Sequence, residues 1–131
     1  MRPRFGLPRS ARLIRRNDFR RVYGKGQRAH GSWMVVVALR RQEPGHRLGI
    51  AVSKEHGRAV RRNKIKRLLR EAFRLERPEL EGQFDLILIP RAREGRFELD
   101  GLRRELRELL ARLAAGARSP KQREGRRRRR R

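Results

Sequence analysis

A chain of 131 residues with 39 Lys and Arg against 14 Asp and Glu carries a formal charge of +25, so its folded form repels itself unless something anionic lies against it. No apolar run approaches the roughly 20 residues that span a bilayer, and the basic N-terminus lacks the apolar stretch of a secretory signal. With no cysteine, disulfides and Cys-ligated zinc are excluded, and the expectation is one cytoplasmic domain that binds nucleic acid through counterion release.

Residues 1–9 combine three Arg with two Pro and are expected to form a basic extended arm. Asn17 and Asp18 are placed as caps for a first helix, in which Phe19, Val22 and Tyr23 recur at i, i+3 and i+4 on one face. Gly24 and Gly26 are expected to stop it. A faint strand signal covers 27–30. Residues 32–40 are rich in β-branched side chains and predict a strand, followed by a turn near 43–46 and a second strand over 47–52. The longest helix is predicted from Gly57 or Arg58 to about Leu75, with Ile65, Leu68, Leu69, Ala72 and Phe73 as its buried stripe. Residues 84–89 (FDLILI) form a short apolar run closed by Pro90, the pattern of a strand buried on both faces. A last helix, capped by Asp100, turns Leu102, Leu106, Leu109, Leu110 and Leu113 inward and ends at Gly116. The domain is thus expected over 10–116, with 117–131 an Arg-rich disordered tail.

The long helix carries the chemistry. At about 100° per residue, Arg62, Asn63, Lys66, Arg67, Arg70 and Arg74 fill one arc opposite the apolar stripe. Like charges at i, i+4 disfavour an isolated helix (Arg62 with Lys66, Arg70 with Arg74), a cost that a phosphate backbone on that face would offset. A solvated charged face is the plain alternative, and the scarcity of balancing acids argues against it. His30, His46 and His56 are scattered. Asp18, Asp85 and Asp100 fall on three separate elements, so no acidic cluster for two-metal chemistry is read.

Set in order, the runs Gly49-Ile-Ala-Val-Ser-Lys54, Gly57-Arg-Ala-Val60, Arg62-Asn-Lys-Ile-Lys-Arg67 and Arg70-Glu-Ala-Phe-Arg74 resemble the protein subunit of bacterial ribonuclease P. Asn17-Asp-Phe19 with Val22-Tyr23 and Gly26, and the strand 84–91, extend the resemblance over about 10–115. It implies an α+β fold, a two-layer α/β sandwich of order αβββαβα, open on one sheet face and with a left-handed βαβ crossover, against the general right-handed rule. It implies a subunit without catalytic residues of its own. The chemistry would lie with a catalytic RNA subunit that holds Mg²⁺, and the holoenzyme would cut the 5′ leader from precursor tRNA. No membrane and no small-molecule substrate is implied.

Residue by residue, Lys54, Arg58, Arg62, Asn63, Lys64, Lys66, Arg67 and Arg70 would dock on the catalytic RNA. Phe19, Tyr23, Ser53 and Arg91 would line a cleft for the leader, although Phe19 also fits a core position. Three departures stand out: Val37 where an aromatic is common, Glu55 where a second cation is common, and Lys64 in place of an arginine, which loses the bidentate fork. A small basic ribosomal RNA-binding protein or a DNA-compacting protein would share the charge and size.

Overall fold

The computed structural model describes residues 7–92 and 95–115; most of the predicted arm, Gly116 and the Arg-rich tail lie outside the described residues. The elements are α1 (Arg16–Lys25), β1 (Gln27–His30), β2 (Met34–Arg40), β3 (Arg47–Ile50), α2 (Ala59–Glu76), β4 (Phe84–Pro90) and α3 (Leu99–Ala114), the expected order, faint strand included. The sheet runs β1-β2-β4-β3. β1–β2 and β2–β4 are antiparallel, and the β3–β4 pair joined through α2 is parallel.

Side-chain alternation divides the sheet. Met34, Val36, Ala38, Leu86 and Leu88 point to one face, where the α2 stripe (Ile65, Leu69, Ala72, Phe73) and the leucines of α3 close the main core. Burying each of the larger of these side chains contributes about 1.5–3 kcal/mol. Leu68 packs at the edge of that core and is only partly buried. Central β4 is buried on both faces, as its unbroken apolar run predicts. The second face is not fully open: α1 lies across it, with Val22 and Leu13 packed on Val37 and Ile87.

Several boundaries differ for physical reasons. Neither Asn17 nor Asp18 caps α1; the N-cap is Arg15, without a side-chain hydrogen bond, and Asp18 sits in the first turn. Gly24 stays helical and Gly26 ends the helix. Asp100 likewise lies in the first turn of α3, behind Glu98. β2 starts at Met34 rather than at Ser32 because the Glu105 carboxylate accepts the backbone N–H groups of Ser32, Trp33 and Met34 at 2.8, 2.8 and 2.9 Å. That anchor bends the chain and ties α3 to the sheet. Leu7 is buried in the main core, so the domain begins within the predicted arm. Leu13 N–H donates to the Leu48 carbonyl at 2.8 Å, covering part of the exposed β3 edge.

Candidate nucleic-acid interface

α2 is a helix with one face spoken for. Its apolar stripe is held to the core, so the opposite arc has to face outward. Gly57, just before it, takes φ +101°, a conformation that disfavours any side chain; this explains the glycine in the motif. The first turn of α2 contains no acid and no side-chain cap, so the positive end of the helix dipole adds to its cations. Asn63, Lys64 and Arg67 are exposed, with Lys66 and Arg70 half-buried beside them. Among the described residues, Lys64, Lys66, Arg67 and Arg70 make no ion pair. Arg62 donates through Nε to the Gly57 carbonyl at 3.1 Å, which fixes its stem.

Arg74 departs from the arc read in the sequence. Glu71 grips it with two hydrogen bonds of 2.9 and 2.7 Å, and this contact holds the Glu71 carboxyl below its usual range. The unpaired basic face therefore ends at Arg70.

The other predicted residues gather around α1 and the ends of the strands. α1 crosses the strands from β3 to β1. At one end the Phe19 ring packs against Gly49, where an added Cβ would meet it at 2.7 Å. At the other end Tyr23, 37% exposed, lies under the Arg28 guanidinium at 5.9 Å. Burial raises the Tyr23 pKa and Arg28 opposes it, so the phenol keeps its proton at neutral pH. Phe19 packs on the small core beneath α1, the core position weighed for it, and also borders a groove beside β3.

Beyond α1 the sheet face continues through Val35, Ile89 and Ala51, all partly exposed, and these were missed from sequence. Their parity with Val37 and Ile87 along β2 and β4 was the available signal. Val37, the position compared with an aromatic, is wholly buried under α1; Val35, two residues before it on the same face, is partly exposed. Ser53 and Arg91 lie at this same end of the sheet. Buried His56 ties the segments that carry them: its backbone N–H donates to the Ser53 carbonyl at 3.2 Å and its Nε2 sits 3.0 Å from the Pro90 carbonyl, while Arg91 Nη1 donates to the Gly31 carbonyl at 3.3 Å. Lys54 and Glu55 are exposed on the 3-10 turn Lys54–His56, and Arg58 is exposed at the N-cap of α2.

At the opposite end, Asp85 is buried and holds Arg47 at 2.7 Å, Arg21 at 3.0 Å and Arg41 at 3.5 Å. Burial pushes its pKa up, but the arginines outweigh burial and hold it below the ordinary carboxylate range. Asp18 joins this group through Arg21 at 3.4 Å and Arg47 at 4.0 Å. The two aspartates that fall on separate elements in sequence are thus neighbours in space, but arginines occupy them. No group of three or more His, Cys, Asp or Glu among the described residues is placed to hold a metal ion, and no described helix is long and apolar enough to cross a membrane.

The family model described as Ribonuclease P matches residues 7–114. The chain is 43% identical to the ribonuclease P protein component of Desulfovibrio desulfuricans over 115 residues, covering 85% of this chain and 88% of that one. Among solved structures, the RNase P protein from Thermotoga maritima aligns with a TM-score of 0.70 at 34% identity, covering 77% of this chain and 96% of that one. The Staphylococcus aureus RNase P protein aligns at 0.66 and 34%, covering 77% and 93%.

Proposed function

The chain belongs to the ribonuclease P protein family, and from that premise we propose that it binds the catalytic RNA through α2 and the 5′ leader of precursor tRNA through the cleft beside α1. The observation that carries the reading is the one-sided helix. Among the described residues, Lys66, Arg67 and Arg70 stand without acidic partners while Ile65, Leu69, Ala72 and Phe73 are locked into the core. Such a face neutralises phosphates on a rigid, preformed surface and releases their counterions. Asn63 adds a donor and an acceptor on a short stem.

Phe19 and Tyr23 offer π surfaces to unpaired bases, which stack with little regard to sequence; Ser53 and Arg91 would meet the strand at the other end of the cleft. The protein's part is to hold and orient. Mg²⁺, held mainly by the RNA subunit, would supply the Lewis acid and the activated water for cutting the leader. This role places the chain in the cytoplasm with precursor tRNA. The deciding experiment mixes the protein with its cognate catalytic RNA at low Mg²⁺. Strong stimulation of 5′ maturation is expected, and no stimulation would overturn the reading.

A further inference from the structure

We propose that a groove at the start of α1, walled by Arg9, Arg12, Ile14, Arg15 and Arg47, is a second phosphate-binding site that holds the backbone of the RNA docked on α2. It rests on the function proposed above. The groove encloses about 590 Å³. Arg9, Arg12 and Arg15 make no ion pair among the described residues. The one acid in the lining, Asp18, is already held by Arg21 and Arg47 at 3.4 and 4.0 Å. The local field is therefore positive, and planar guanidinium forks suit phosphate oxygens better than a point charge does.

The cations stand on a fixed backbone. Ala11 is fully buried, Leu13 nearly so, and Leu13 N–H is bonded to β3. The alternation between them turns Arg12 and Ile14 outward. The first turn of α1 has no side-chain cap, and its one acid, Asp18, is paired with Arg21 and Arg47, so its amide dipoles still favour an anion. Arg12 and Ile14 also wall a neighbouring groove of about 300 Å³ whose far side is Lys66 and Arg70 of α2. One basic track therefore runs from α2 around the β3 edge to α1. That continuity selects the RNA bound by α2 as the occupant. Phe19 also borders the smaller groove, which makes the leader the competing occupant.

The test uses the full chain in the reconstituted holoenzyme, comparing wild type, Arg9→Ala/Arg12→Ala/Arg15→Ala, and Arg67→Ala/Arg70→Ala as the α2 comparator. The salt dependence of binding is measured on the catalytic RNA alone, and on holoenzyme with precursors of increasing leader length. On the catalytic RNA, the triple variant is expected to reduce the slope of log K against log salt by about two to three, with an unchanged melting temperature. If the triple variant melts early, Arg9→Ala and Arg15→Ala singly should each reduce it by about one. An unmoved slope overturns the proposal, as does a loss confined to long-leader precursors, which would assign the groove to the leader. Failure of the function itself shows elsewhere, as a wild-type chain that does not stimulate cleavage.

Discussion

Arginine does opposite work at two places on this molecule. At one end of the sheet, Arg21, Arg41 and Arg47 converge on buried Asp85, and their charge is consumed in holding α1, β3 and the turn after β2 together. On α2, Arg67 and Arg70 make no ion pair with any of the described residues. What separates them is the presence of a carboxylate drawn out of water. A buried acid needs cations around it, whereas cations on a half-exposed face keep their hydration until a polyanion displaces it. The number of arginines in a sequence therefore says little about binding until each is assigned to one of these states.

The contrast breaks most visibly at Asp85. Asp85→Ala leaves three guanidinium groups crowded without their shared partner, and losses of about 3–5 kcal/mol are typical for breaking such a buried pair. Urea unfolding should show a much lower midpoint. RNA affinity measured well below the melting temperature should change little. A variant as stable as wild type would show that the cluster is incidental.

Tyr23→Ala tests the cleft between these two regions. Stacking on aromatic side chains is worth about 1–3 kcal/mol per base, so holoenzyme with this variant should bind a precursor with a leader more weakly while keeping its affinity for mature tRNA. Equal loss for both RNAs would remove Tyr23 from the leader path. The unpaired side of the comparison is sharpened by Arg67→Ala, expected to reduce the salt slope for the catalytic RNA by about one and to leave unfolding within about 0.5 kcal/mol of wild type. Loss of stability there would mean that Arg67 has a structural partner after all.

The periodic parts of the fold were legible in the sequence. The α2 stripe, the buried strand and the leucines of α3 follow from side-chain spacing alone, and so does the outward basic arc. Contacts distant in sequence were not legible. Glu105 anchoring the start of β2 across 71–73 residues has no local signature, and the union of Asp18 with Asp85 depends on α1 folding over the sheet. Even within one helix the reading stopped short, because spacing placed Arg74 among the free cations while Glu71 at i−3 captures it. The accessible floor of the cleft was missed for a similar reason: which half of the second sheet face stays open depends on where α1 crosses it.

Acidification should give the smallest effect, and it acts on two buried groups that hold the fold together, His46 and Asp85. Buried His46 accepts the Phe84 N–H at Nδ1 (3.2 Å) and so carries its proton on Nε2, 3.3 Å from the Leu80 carbonyl. Burial lowers its pKa, more than its backbone partners raise it. A histidine with a lowered folded pKa binds protons more readily when unfolded, so its contribution is complete above the unfolded value of about 6.5 and is lost as pH falls below it. Asp85, also lowered, keeps its contribution until pH falls through the carboxylate range. The melting temperature should therefore decline in two stages, the first as pH falls below the His reference value of about 6.5 and the second as it falls below the Asp reference value of about 3.9. His46→Gln should flatten the first stage and leave the second. A first stage of undiminished size would release His46 from the latch between Leu80 and β4.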